Sequence, residues 1–407
     1  MYRSRSKYWM IVLAVFMVVM VGACADESVF QSETPSARGA LFRASTSADV
    51  QEVLGEIGPG AKYGLFVPAD WNGDLVLYAH GFKDPASSID LPVADHIVPL
   101  RDALVALGYA VAYSSYSENG LSVKDGAIRT RQLRGIFAST VGEPDRTYLL
   151  GHSLGGLVAI MLAEKNPAHY AGVLPMCGMI GGSKAAIDYF GHLRTLFDFF
   201  YPTVLPGNAM DIPEEVDLYT EVILPVIDAI QEKPERAGAI TAIQQTPVPF
   251  TTGEELVESF VRGIGFQFRG FEDVLGRTHG HIPFGNMQTE YMGPLPEELL
   301  AGINAGVNRF DATRDALTQL KNFYEPSGAL EVPVLTLHNE WDPVVPLFHE
   351  DLYAKAVAAA GKSHLLRQRT VGVYGHCKFG EEEAEGVEVM VEAFLDLVAW
   401  SEEGIVP

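Results

Sequence analysis

Between residues 61 and 177 the chain alternates two hydrophobic patterns. Short, near-continuous apolar runs, such as Asp74–Ala79, Tyr109–Tyr113 and Thr147–Leu150, suit strands buried on both faces of a parallel sheet. The stretches between them, Pro92–Gly108, Lys124–Val141 and Leu154–Asn166, place apolar residues three and four apart and predict amphipathic helices. Arg129, Arg131 and Arg134 are expected on the solvated face of the second. Ahead of this series Tyr63–Pro68 reads as a strand, and Gly58-Pro59-Gly60 before it predicts a hairpin that opens the sheet. Ala171–Met176 reads as the strand that ends the series. Such alternation predicts an α/β fold, a doubly wound and mostly parallel sheet with its ligand site beyond the carboxyl ends of the strands.

The rhythm then breaks. Residues 178–327 carry helical stretches and loops punctuated by Pro202, Pro206, Pro213, Pro225 and Pro234, with no convincing strand. An insertion of this length is too long for a loop and predicts a helical cap between a first core segment, 48–177, and a second, 328–407. Two apolar clusters in it, Leu193–Tyr201 and Phe260–Phe271, are expected to pack the cap onto the core, with direct substrate contact as the alternative. The strand pattern returns at Val332–His338 and Leu365–Val371, with helices expected over Pro346–Ala360 and Glu383–Trp400.

The N-terminus has a different character. Arg3, Arg5 and Lys7 precede an uncharged apolar run, Trp9–Val21, which is short for a bilayer span and suits the core of a signal sequence. It ends in Val21-Gly22-Ala23-Cys24 and resembles a bacterial lipoprotein signal. That resemblance implies removal of residues 1–23 and a lipid on Cys24, hence a bacterial envelope protein on the periplasmic or extracellular face. An uncleaved anchor, or a plain secretory signal cut near Ala23 or Ala25, are the alternatives. Residues 24–47, rich in Ser, Thr, Ala and acids, read as a flexible tether.

Composition narrows the partners. Of 407 residues 48% are hydrophobic and 20% charged, enough apolar content for a sizeable core. A net charge of −23 disfavours nucleic acid and anionic lipid surfaces, which leaves the N-terminal lipid as the expected membrane contact.

The chemistry centres on Gly151-His152-Ser153-Leu154-Gly155, placed between a predicted strand and a predicted helix. A nucleophilic serine at such a turn stands on strained backbone, and side chains at Gly151 and Gly155 would collide with the crossing elements. A serine hydroxyl is a poor nucleophile at neutral pH and needs a base and a group that orients the base. His349 falls in a predicted helix and His364 at the entry to the last strand, the wrong edge of the sheet. His376 follows the exit of that strand, on the same edge as Ser153. For the orienting acid, Asp342 on the turn closed by Pro343 is favoured over Glu340. His80-Gly81-Phe82 directly follows a buried strand, where glycine lets backbone approach a substrate oxygen. His279-Gly280-His281 has no carboxylate or cysteine at ligand spacing and reads as a polar cap loop, so no metal or cofactor is expected.

With Ser153, Asp342 and His376 in that order, the sequence resembles the α/β-hydrolase superfamily. The matching pieces are Tyr78-Ala79-His80-Gly81-Phe82, Gly151–Gly156, Trp341-Asp342-Pro343-Val344-Val345-Pro346 and Gly375-His376. The resemblance implies Ser153 as nucleophile, His376 as general base and then acid, Asp342 as orienter, and the N–H groups of Phe82 and Leu154 as an oxyanion hole. Cys377 beside the histidine is similar to tannases and feruloyl esterases, which pair such a cysteine with one next to the nucleophile. Here His152 holds that place, and the resemblance implies instead a Cys177–Cys377 disulfide, two separate buried thiols being the alternative. The expected activity is hydrolysis of a small-molecule carboxylic ester. A peptidase on the same core, with Glu214, Glu215, Glu254 or Glu255 holding a substrate amine, is the alternative, and an inactive binding protein is a third.

Overall fold

The computed structural model describes residues 50–92, 97–213 and 215–407. The expected signal, Cys24 and the tether to residue 47 lie outside the described residues. No helix among the described residues is long and apolar enough to cross a membrane.

Eight strands form one sheet in the order β1-β2-β4-β3-β5-β6-β7-β8. They are β1 (Val50–Ile57), β2 (Ala61–Pro68), β3 (Asp74–Ala79), β4 (Ala110–Ser114), β5 (Arg146–His152), β6 (Gly172–Met176), β7 (Val334–Trp341) and β8 (Leu366–Tyr374). β1 and β2 form the expected hairpin, and β2 pairs antiparallel with β4; every other pairing is parallel. β3, β4 and β6 are buried along their whole length, which is why their sequences do not alternate. This is the topology of an α/β-hydrolase fold, in line with the expected class.

Helices cover both faces. α1 (Ile97–Ala106) and a later helix, Glu383–Glu403, pack Leu100, Leu104, Phe394 and Leu397 against Val76, Tyr148 and Leu335. α2 (Val123–Thr140) and α3 (Leu154–Lys165) bury Leu133, Phe137, Leu157 and Val158 against the opposite face. Arg129 of α2 departs from its expected solvated place. It is buried, its guanidinium donates to Asp125 at 3.1 Å and Gln132 at 2.9 Å, and it packs over Gly58 of the hairpin turn.

Between β6 and β7 the long regular elements among the described residues are helices. α4 (Ser183–Phe200), α5 (Leu224–Glu232), α6 (Pro234–Thr241), α7 (Gly253–Arg277), α8 (Glu297–Gly306) and α9 (Arg314–Asn322) follow one another, with a π-helical turn over Leu218–Ile223. α7 begins in a capping box. Thr252 Oγ1 accepts from the Glu255 N–H at 3.2 Å, and Glu255 Oε2 accepts from the Thr252 N–H at 3.1 Å. Leu193, Leu196, Phe197, Phe260, Ile264, Phe268 and Phe271 are buried together, so most of both apolar clusters is packing. The chain re-enters the core through Glu164 of α3, which accepts from the N–H groups of Ser327 and Gly328 at 2.8 Å each and from the Tyr324 hydroxyl. After β7 comes α10 (Phe348–Ala359), and α11 (Glu383–Glu403) closes the chain.

Candidate active site

β5 delivers Ser153 to the carboxyl edge of the sheet, and α3 carries the chain away at once. Ser153 has φ 55° and ψ −121°, a conformation that costs an L-residue roughly 1–3 kcal/mol and persists only where the surroundings hold it. The surroundings do so: the Ser153 N–H donates to the Met176 carbonyl at 2.9 Å, and its own carbonyl accepts from Gly156 at 3.0 Å and Met179 at 3.2 Å. A Cβ on Gly151 would strike the Gly155 carbonyl, and one on Gly155 would strike the Ala79 carbonyl. The two glycines therefore answer to different partners, the returning helix and the neighbouring strand.

The loop after β3 lies directly over the serine. A Cβ on Gly81 would sit 3.2 Å from Ser153 Cβ and 3.7 Å from its hydroxyl. His80 shapes this loop. Its Nδ1 donates to the Gly81 carbonyl at 2.7 Å, its ring stacks on Tyr116 at 3.7 Å between centroids, and the Tyr116 hydroxyl donates to the His80 carbonyl at 3.1 Å. Burial pushes the His80 imidazole down to about 4, so it is neutral at pH 7. Phe82 follows with its ring against Phe266 of α7, 5.0 Å between centroids, and Phe266 stacks in turn on Phe190 of α4 at 4.9 Å. Leu154 is the first residue of α3, where a backbone N–H has no intrahelical acceptor.

Asp342 and His376 meet on the same edge. β7 continues through Trp341, and its bulge between Asn339 and Trp341 brings Asp342 beside the end of β8. His376 Nδ1 donates to Asp342 Oδ2 at 2.7 Å; a carboxylate only accepts, which fixes that tautomer and leaves Nε2 with a lone pair. Asp342 Oδ1 accepts from the N–H groups of Val344 at 2.8 Å and Val345 at 2.9 Å. Asp342 has no exposed surface, whereas Glu340 is exposed. Of the other two histidines weighed, His349 is buried in α10 with Nδ1 accepting from the Gly181 N–H at 3.1 Å. His364 sits in a short 3-10 turn, Ser363–Leu365, at the entry to β8.

Cys177 and Cys377 are joined in a disulfide, with Cα atoms 5.2 Å apart. The bond couples the two halves of the site. The Ser153 N–H is held by Met176, the next residue is Cys177, and its partner Cys377 follows His376 directly. A His376 ring nitrogen and both sulfurs lie within 4.8 Å of one another, but bonded sulfurs offer no thiolate to a metal. Among the described residues the Ser153 hydroxyl makes no hydrogen bond to His376, and such bonds commonly tighten only when substrate is present. Nothing in the sequence pattern singles out Tyr116, Phe266 or Tyr374 as site residues. The Tyr374 hydroxyl, two residues before His376, shares a hydrogen bond with Ser259 of α7 at 2.9 Å, tying the histidine loop to the helical segment.

Residues 130–214 match the model of a family described as "Putative esterase". No curated protein matches the sequence. Among solved structures, the acylaminoacyl peptidase of Pyrococcus horikoshii superposes on 89% of this chain with 10% identity and a TM-score of 0.44. This chain spans 44% of that protein's length. Est1E from Butyrivibrio proteoclasticus superposes on 87% of this chain and all of its own, with 13% identity and a TM-score of 0.40. The rice cell wall degrading esterase LipA from Xanthomonas oryzae covers 90% of this chain and 94% of its own, with 14% identity and a TM-score of 0.43. None of these likenesses carries a substrate to this chain.

Proposed function

We propose that this hydrolase of the α/β-hydrolase type is a serine esterase that cleaves small-molecule carboxylic esters through an acyl-enzyme. The observation that carries the reading is the 2.7 Å bond from His376 Nδ1 to buried Asp342, on the sheet edge where Ser153 stands on a strained turn. His376 Nε2, its lone pair fixed by that bond, takes the Ser153 proton as the hydroxyl oxygen attacks the ester carbonyl. Asp342 orients the ring and stabilises the imidazolium that forms. The N–H groups of Phe82 and Leu154 stabilise the oxyanion of the tetrahedral intermediate, a contribution of about 3 kcal/mol per donor in comparable sites. His376 then protonates the departing alkoxide. Water, deprotonated by the same nitrogen, cleaves the acyl-enzyme and restores Ser153.

The half-buried rings of Phe82, on the loop over Ser153, and of Phe266 against it support an apolar group on the substrate. The acids weighed for holding a peptide amine support the peptidase reading less. Glu255 Oε2 is committed to the Thr251 N–H at 2.6 Å and the Thr252 N–H at 3.1 Å, and Glu215 and Glu254 are exposed; Glu214 lies outside the described residues. The test is turnover of p-nitrophenyl esters of graded acyl length beside aminoacyl p-nitroanilides, with Ser153→Ala as control. Ester turnover lost in the variant is expected. Turnover of the anilides alone would move the protein to the peptidases.

We further propose, on the strength of the Val21-Gly22-Ala23-Cys24 signal, that the protein is held in a bacterial envelope by lipid on Cys24. In a bacterial expression host, incorporation of labelled fatty acid that is lost in Cys24→Ser is expected. Unlabelled protein released into the medium would contradict the anchor.

A further inference from the structure

Behind Asp342 lies a second buried ion pair that the ester-hydrolysis scheme does not use. His338 of β7 has no exposed surface. Its Nδ1 faces Glu350 Oε1 of α10 at 3.2 Å, and its Nε2 faces the Val345 carbonyl at 2.8 Å. The Val345 carbonyl can only accept, so Nε2 carries a proton; opposite a carboxylate Nδ1 carries one too, and a ring with two N–H groups is an imidazolium. Glu350 is itself nearly buried, and its Oε2 accepts from donors on two strands: the Thr336 hydroxyl at 2.7 Å and the Gln368 side-chain amide at 2.6 Å. His338 Nε2 is 3.9 Å from Asp342 Oδ2, the same oxygen that accepts from His376.

Val345 links the two carboxylate environments. Its carbonyl accepts from His338, and its N–H donates to Asp342 Oδ1 at 2.9 Å. A proton on His338 Nε2 therefore holds the residue that holds the acid. We propose that His338, kept as an imidazolium by Glu350, is a positioning residue that fixes the Asp342 turn and draws part of the Asp342 charge away from His376. The proposal rests on the assignment of Asp342 and His376 to catalysis. The consequence has a sign. A cation beside Asp342 weakens the field that the carboxylate exerts on the His376 ring. Among the described residues His349 also lies close enough to His338 to feel its charge; burial drives that ring down to about 3, so it is neutral and supplies no competing charge.

Two measurements test this. First, wild-type protein labelled with ¹⁵N-histidine is examined at pH 8 for the ring-nitrogen shifts. The His338 ring, assigned through its coupling to its own backbone, is expected to keep both nitrogens at imidazolium values, whereas burial holds His80, His192 and His349 neutral. Only neutral rings at that pH would overturn the proposal. Second, His338→Gln retains an N–H for Val345 but carries no charge. The acid limb of kcat/KM for a p-nitrophenyl ester is expected to move up by about one pH unit, from the loss of one charge acting across a buried carboxylate. Loss of activity at all pH values with an unmoved midpoint would show a packing role only and overturn the proposal. Should wild-type protein hydrolyse no ester and resist a fluorophosphonate, the catalytic assignment fails, while the imidazolium shifts still decide the state of His338. Should the variant fail to fold, the wild-type spectrum decides alone.

Discussion

Cutting the Cys177–Cys377 bond is expected to damage stability and catalysis together. The bond closes a loop of 200 residues, for which the chain-entropy relation gives about 5 kcal/mol of stabilisation through the unfolded state. Over roughly 350 folded residues the unfolding entropy is about 0.7 kcal/mol per kelvin, so the loss corresponds to a fall in Tm of about 7 °C. Both cysteines also hold left-handed backbone, φ 44° at Cys177 and φ 59° at Cys377, which L-residues adopt at a cost of about 1 kcal/mol each or more. Once the cross-link is gone, relaxation of that backbone moves the neighbouring His376, and a displacement of about 1 Å at such a base costs on the order of 100-fold in kcat. The assay is scanning calorimetry with ester kinetics on three samples: oxidised protein, protein reduced and kept reduced, and Cys177→Ala/Cys377→Ala. The reduced sample keeps the sulfur volume and isolates the cross-link; the double variant adds a packing loss at two buried sites. A Tm fall below 2 °C on reduction, with kcat within twofold of the oxidised protein, would refute the reasoning.

Asp342→Asn is expected to preserve the fold and lower kcat by roughly 10⁴-fold, because an amide favours the wrong His376 tautomer; steady-state kinetics and circular dichroism check both halves. Gly155→Ala is expected to cost at least about 3 kcal/mol, since the new Cβ meets the backbone carbonyl of Ala79 rather than a movable side chain, and denaturant unfolding reads the loss. The fold is expected to lose stability as pH falls from about 6.5 to about 4. Burial holds His80 and His192 down at about 4 and His349 at about 3, so these rings stay neutral in the fold while the unfolded chain takes up protons. His338 is shifted up by its anionic neighbours and works the other way, and burial raises Asp74, Asp188, Asp198 and Glu325, which opposes the loss near its acid end. Urea midpoints between pH 7.5 and 5 measure the net slope, and a flat profile would contradict the excess of neutral buried rings.

The carboxyl edge of the sheet was legible because its chemistry is local. A strand, Gly151-x-Ser153-x-Gly155 and a helix occupy adjacent residues, and each glycine answers to a contact within one turn of chain or on the next strand. His376 could be chosen over His349 and His364 because strand direction alone decides which end of β8 a residue occupies. Segment ends were less legible. β7 runs three residues past His338 because β8 supplies hydrogen-bond partners as far as Tyr374, a fact of pairing rather than of propensity. Arg129 looked solvated because a charged residue on a helix usually is; only the β1–β2 turn folded over it makes it buried. His338 and Glu350 gave no signal, since a histidine in a strand and a glutamate twelve residues on in a helix read as ordinary polar positions until β7 and α10 pack. Phe266 was hidden among Phe260, Phe268 and Phe271, which serve packing, and only the placement of α7 against the Phe82 loop distinguishes it.

The central claim, that Ser153 is a nucleophile activated by His376, is tested most directly by treating the protein with a fluorophosphonate and mapping the adduct by mass spectrometry. The account predicts a single phosphonylated peptide that contains Ser153, formed in wild type and absent after Ser153→Ala or after denaturation before labelling. An unmodified Ser153, or labelling that survives Ser153→Ala at another residue, would contradict it.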